Sequence, residues 1–212
     1  MMVFIMPYFI RYNGMNWIEK LASMLISSFF LIGIIIQSAY GEGNIEIKSF
    51  ALEATETGYQ INVDAAIELN STLEQALEKG IVLYFVIKFS LIDTKWYWVD
   101  DEVARSKLRI GLSYNALTRQ YRLSHRSKSQ GFDTLNEALQ ELGTQHHIPV
   151  EEKLKLDPTI EYSASLQVWL DASRLSKPFQ LESLRSKEWN LSSEKKEWRT
   201  KLPVASSFPI HR

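Results

Sequence analysis

Tyr59, Ile61, Val63, Ala65, Ile67 and Leu69 alternate with the polar Gln60, Asn62, Asp64 and Glu68. A period of two with one apolar side predicts a strand that buries one face. Upstream, Ile45 and Ile47 share one parity while Phe50, Leu52 and Ala54 share the other. An extra residue near Lys48 and Ser49 reconciles the halves on one face, so a β-bulge is expected there. Thr57-Gly58 supplies a turn, and residues 44–69 are predicted to form a hairpin.

Residues 81–92 are nearly continuous apolar sequence, rich in β-branched and aromatic side chains, which suits a central strand covered on both faces. Leu108, Ile110, Leu112 and Tyr114 then alternate with Lys107, Arg109 and Ser113. Asn115-Ala116 turns the chain into Leu117, Tyr121 and Leu123, whose neighbours Thr118, Gln120, Arg122 and Ser124 are polar. After the turn signal Asp157-Pro158, residues Ile160, Tyr162, Ala164, Leu166, Val168 and Leu170 form one more apolar parity.

Two short helices interrupt the strands. Ser71-Thr72-Leu73-Glu74 reads as a capping box, followed by Ala76, Leu77 and a stop at Gly80. Asp133 is placed to cap a helix over 134–142, with Leu135, Ala138, Leu139 and Leu142 on one stripe and Gly143 ending it. The two segments read alike (Thr-Leu-Glu-Gln-Ala-Leu, Thr-Leu-Asn-Glu-Ala-Leu), but their flanking strands do not match, which favours convergence over duplication. The expected fold is mainly β: a single antiparallel β-sandwich-like domain over 42–202 with two short α-helices, behind an N-terminal signal helix. Residues 203–212 carry two prolines and no periodicity, and read as a flexible tail.

The signal reading rests on residues 21–36, an uncharged apolar run after Lys20. It leads into Gln37-Ser38-Ala39-Tyr40-Gly41, with Ala39 and Gly41 at −3 and −1 of a cut before Glu42. Basic flank, apolar core and small-x-small exit compose a secretory signal peptide. The run falls short of the roughly 18–20 residues that span a bilayer. Cleavage is the expectation, and retention as an N-terminal anchor is the alternative. Met15-Asn16-Trp17-Ile18-Glu19-Lys20 would make a more ordinary signal start than Met1, so translation is expected to begin at Met15. The domain then works outside the cytoplasm: periplasmic, or facing the periplasm from the inner membrane if the anchor stays.

Composition is that of a globular protein, and the chain has no cysteine, so disulfides, thiolate catalysis and cysteine-held metal are excluded. Removing Arg11, Lys20 and Glu19 from 24 basic and 25 acidic residues leaves 22 and 24 in the exported part. That near balance hides a polarity. Residues 103–132 contain no acid but hold Arg105, Lys107, Arg109, Arg119, Arg122, Arg126 and Lys128, with His125.

Leu83-Tyr84-Phe85-Val86 followed by Trp96-Tyr97-Trp98-Val99-Asp100 is one motif, and 112–123, Leu-Ser-Tyr-Asn-Ala-Leu-Thr-Arg-Gln-Tyr-Arg-Leu, is another. With Phe132, Leu135, Ala138-Leu139, 175–180 (Leu-Ser-Lys-Pro-Phe-Gln), Trp189 and Trp198, the chain resembles the proteobacterial family called domain of unknown function 4390. The resemblance covers 44–202, and Ser176 stands where similar proteins tend to carry proline. It implies an exported protein with a signal or anchor, and it carries over no catalytic residue. Similar proteins are often encoded beside a ribosomal RNA methyltransferase and a membrane sensor histidine kinase, which implies an envelope role linked to sensing.

The sharpest candidate chemistry is the basic hairpin. On an alternating strand Arg105, Lys107 and Arg109 project from one face at about 6.6–6.8 Å steps, matched by Arg122 on the partner strand. Such a row meets an anionic partner, such as lipid phosphate or an acidic envelope protein, or is balanced by acids such as Asp100, Asp101 and Glu102. Nucleic acid is not expected as a partner, since an exported protein seldom meets it. Arg119 shares parity with Leu117 and Tyr121, so it is expected on the apolar side in an ion pair, the other reading being a buried binding residue. Trp96 and Trp98, with Tyr97 between them, read as core and edge packing, as a ligand grip or as a membrane-interface group. Trp169 lies on the polar parity of its strand, as an exposed anchor or beneath a C-terminal cover.

Signatures of catalysis are weak. The stretch 111–115 lacks the second glycine of a nucleophile elbow, Ser192-Ser193-Glu194-Lys195 has no companion motif, and no glycine-rich phosphate loop occurs. His146-His147 are adjacent, so their side chains diverge, and neither metal nor cofactor is expected. The leading expectation is a non-enzymatic binding or accessory module of the envelope, using the basic hairpin to meet a membrane surface or a sensor ectodomain. Two readings stay open beside it: a hydrolase-type envelope enzyme with a site near residues 96–102 and Arg119, and a purely structural component.

Overall fold

The computed structural model describes residues 43–93 and 101–204. The expectations for the signal segment, for Trp96 and Trp98, for Asp100 and for residues 205–212 lie outside the described residues. The chain divides into two units, Met1–Tyr40 and Gly41–Arg212. All the buried hydrophobic side chains described belong to the second, which folds around its own core. Among the described residues no helix is long and apolar enough to cross a membrane.

The N-terminal hairpin forms as its pattern requires. Strands β1 (Asn44–Thr55) and β2 (Gly58–Glu68) pair antiparallel, and the register shifts between Ile47 and Ser49. That bulge turns Ile45 and Ile47 before it, and Phe50 and Leu52 after it, toward the same core. Gly58 closes the turn at φ +140°, a conformation open to glycine.

Helix α1 (Ser71–Glu78) buries Leu73, Ala76 and Leu77. Its cap is Asn70, whose side chain accepts from the Leu73 amide, rather than the Ser71 box. Asparagine and serine offer the same acceptor, so the motif was displaced by one residue.

Strand β3 (Leu83–Asp93) is central in the larger sheet, flanked by β4 (Asp101–Asn115) and β9 (Glu161–Leu170). The full order is β10 (Lys196–Lys201), β9, β3, β4, β5 (Gln120–His125) and β6 (Lys128–Phe132), every pairing antiparallel. A two-residue strand β8 (Glu151–Glu152) also pairs β4. Strand β7 (Thr144–Pro149) adds to β2, completing a smaller sheet β1-β2-β7.

Helix α2 (Leu135–Gly143) buries Ala138, Leu139 and Leu142, with Thr134 rather than Asp133 as its cap; Asp133 instead accepts from Gln120. A third helix, α3 (Lys177–Ser183), lies between two 3-10 turns at Ala172–Arg174 and Lys187–Trp189. It adds to the two that periodicity indicates.

The two sheets share one core. Ile45, Ile47, Ile61 and Val63 of the small sheet join Phe85, Ile87, Phe89, Leu91, Leu166 and Val168 of the large one. Phe50 stacks on Phe89 at 5.2 Å and meets Trp198 edge-on at 5.1 Å. These pairs add specificity to a burial term of about 25 cal/mol per Å². With one face of the large sheet committed to this core, its other face carries the outward side chains of β3, β4 and β9.

Candidate functional site

Alternation along β4 sorts its side chains. Ala104, Ser106, Leu108 and Ile110 are buried, Arg105 and Lys107 are exposed, and Arg109 is half-exposed. Buried Ser106 is satisfied by donating to the Pro149 carbonyl at 2.8 Å. The three cations therefore share the outer face, as their spacing requires.

Register decides what stands beside them. Ser90 is opposite Arg105, Lys88 opposite Lys107, and Val86 opposite Arg109. Lys88 thus belongs to the face, and it faces Lys107 directly. Like charges at opposed antiparallel positions are destabilising. Lys88 carries a sequence signal of its own, a lone charge inside an otherwise apolar strand, which points it outward.

Acids answer part of this charge. Arg105 Nε lies 3.6 Å from Glu151 of β8, and Arg109 Nη2 lies 3.3 Å from Asp171. Glu102 lies 3.6 Å from Lys88, pairs with Lys153 and accepts from Ser90 at 3.1 Å. The hydrogen bond from Lys153 is the main cause holding the Glu102 carboxyl below its ordinary value, helped by Ser90 and by the two lysine charges against the opposing effect of burial. No carboxylate among the described residues pairs with Lys107. The buried Nε of Arg109 also has no acceptor there. His125 Nδ1 approaches the Arg109 carbonyl at 2.6 Å, fixing the adjoining edge of the face.

Arg122 is on the same outer face but opposite Ser113, four residues beyond Arg109 and so roughly 13 Å along the strand. It is a separate charge at the far end, not the match to the row that was expected. Trp169 is opposite Val86 on β9 and half-buried. A bridge to Ser192 runs beside it, and with Gln167, Leu170, Asn190 and Leu191 it lines a cleft of about 330 Å³. Trp169 is thus neither fully exposed nor fully covered: the C-terminal segment pairs alongside it, and the ring borders the cleft.

Arg119 departs from expectation. Asn115 Oδ1 accepts from the amides of Leu117 and Thr118 at 3.0 and 3.3 Å, holding a four-residue turn. The strand resumes only at Gln120, so parity counted from Leu117 fails: Leu117 is 96% exposed, and Arg119 sits exposed at φ 53°. It forms no ion pair with a described residue. Glu102 and Arg119 mark opposite ends of β4, roughly 40 Å apart at strand rise. No single pocket joins them.

A groove of about 600 Å³ lies elsewhere, lined by Lys48, Asp64, Glu68, Asn136, Thr144 and His146 among others. Thr144 there donates to Asp64 at 3.3 Å, and His146 is hydrogen-bonded to no hydroxyl, so a base-activated nucleophile is not assembled. Among the described residues no group of three His, Asp or Glu side chains could hold a metal ion. The adjacent His146 and His147 rings stand 6.2 Å apart in an edge arrangement.

No curated protein and no solved structure matches the chain. A family model described as Domain of unknown function (DUF4390) matches residues 42–199, which include every described strand but the last two residues of β10. The chain belongs to that family.

Proposed function

We propose that this chain is an exported, non-enzymatic binding or accessory module of the cell envelope, whose cationic outer sheet face meets an anionic partner. One observation carries the reading: Lys88 stands directly opposite Lys107, between Arg105 and Arg109, and Lys107 has no acidic partner among the described residues. A fold that merely solvates its surface gains nothing from opposed lysines, whereas an anion relieves their repulsion. The apolar run at 21–36 supports placement in the periplasm, free after a cut before Glu42 or held at the inner membrane by an anchor. There the anionic candidates are lipid head groups and acidic ectodomains, including that of a membrane sensor kinase. The separation of Glu102 and Arg119, roughly 40 Å at strand rise, tells against a hydrolase site built from both.

Capture of crosslinked envelope components by the wild type, K107E and K88E/K107E tests this. Charge reversal should reduce capture while far-UV circular dichroism stays native and the melting temperature does not fall. Undiminished capture by the double variant would reject the face.

A further inference from the structure

Helix α3 packs Phe179 against the core yet leaves its two leucine neighbours outside. Ser183 points inward, 8% exposed, its hydroxyl donating to the Gln180 carbonyl at 2.7 Å. Phe179 anchors the helix on Trp189 at 5.5 Å. Pro178, Leu181 and Leu184 face outward, with Leu181 64% and Leu184 84% exposed. Leu184 continues the helical path at φ −75°, ψ −19°, so the three side chains recur at intervals of three along one stripe.

The exposed charges along this stretch of chain are uneven: Arg174, Lys177, Arg185 and Lys187 against Glu182 and Glu188, and Glu188 accepts from Thr72 at 2.7 Å. We infer that this helix is an interfacial anchor for an anionic lipid surface: the stripe enters the head-group boundary while the cations contact phosphate. Self-association fits less well. Three side chains on a helix roughly 10 Å long fall far below the ~1,000 Å² of a stable interface, and two cationic collars would repel. The chain also carries its apolar run at 21–36, and the seven residues before Asn44 reach at most about 25 Å. Where that run is inserted and uncut, as the proposed envelope placement has it, the linker length keeps the domain within reach of the bilayer that the stripe would enter.

The inference rests on the envelope placement proposed above but uses a different surface. Residues 41–212, purified, are sedimented with phosphatidylglycerol–phosphatidylcholine vesicles and with phosphatidylcholine alone. Binding to the anionic vesicles is expected. L181S/L184S should lower the partition coefficient at least tenfold with an unchanged melt, since both leucines are exposed. K177E/R185E should remove the preference for anionic lipid, each such cation being worth roughly fivefold. Absence of vesicle binding by the parent, or equal binding by L181S/L184S, overturns the inference. So does a change of oligomeric state on L181S/L184S with vesicle binding intact, which would assign the stripe to protein docking. If K88E/K107E loses vesicle binding while the stripe variants keep it, the helix reading falls and the sheet reading stands.

Discussion

Reversing one charge on the outer face should make the protein more stable and less functional. Lys107 stands opposite Lys88 and two residues from both Arg105 and Arg109. Opposed strand positions are about 5 Å apart at Cβ, and flexible ammonium groups splay to roughly 7 Å. At that distance two unit charges in water interact by about 0.6 kcal/mol. Lys107→Glu replaces a repulsion by an attraction, so up to twice that amount is gained from Lys88. Its 3.6 Å approach to Glu102 reduces this, and Arg105 and Arg109 add increments that Glu151 and Asp171 blunt. The net expectation is about 1 kcal/mol of stabilisation at low ionic strength, or roughly 2–4 °C in Tm. It should fade toward 1 M salt, where the Debye length is about 3 Å. Urea unfolding of wild type, K107A and K107E at both salt concentrations reads this directly. K107A should fall between the other two. Destabilisation by K107E at low salt, or a gain that salt leaves untouched, would refute the reasoning, because Lys107 would then be favourably paired.

Other consequences are local. Asn70→Ala should cost about 1 kcal/mol by uncapping α1, while Ser71→Ala should cost little; equal losses in denaturant midpoint would put the cap back at Ser71. A Cβ on Gly143 would sit 1.9 Å from the Ala65 carbonyl oxygen, so Gly143→Ala should force α2 off β2 and destabilise by about 1–3 kcal/mol. A wild-type midpoint would show that the contact yields. The lowered pKa of Glu102 stabilises the fold above its ordinary 4.5, and that contribution is lost as pH falls through the depressed folded value. The stability gap between wild type and Glu102→Gln should therefore be widest above about pH 5 and close on acidification; a gap independent of pH would remove Glu102 from the linkage.

The sequence made legible what parity and burial dictate. The β1 bulge had to exist, because two apolar halves of opposite parity cannot share one face without an extra residue. Strand β10 left no such trace: Lys-Glu-Trp-Arg-Thr-Lys is a charged edge strand with only Trp198 packed against the core. In β7 the register shifts against β2, and His147 takes φ 56°, so its alternation is broken. On the candidate face, Arg105, Lys107 and Arg109 follow from alternation alone. Glu151 and Asp171 reach them from distant parts of the chain, which spacing cannot reveal. Arg119 was misjudged because one asparagine side chain prolonged a turn, and a parity argument carries no information across a turn of unknown length.

A photo-crosslinking residue at Lys107, introduced into the chain in living cells, tests the central claim most directly, with Glu53 on the small sheet as the control position. A discrete adduct from position 107 is expected, absent from 53 and lost when Lys88 is reversed to glutamate. The same adducts from both positions, or none from 107 while the protein remains folded, would contradict it.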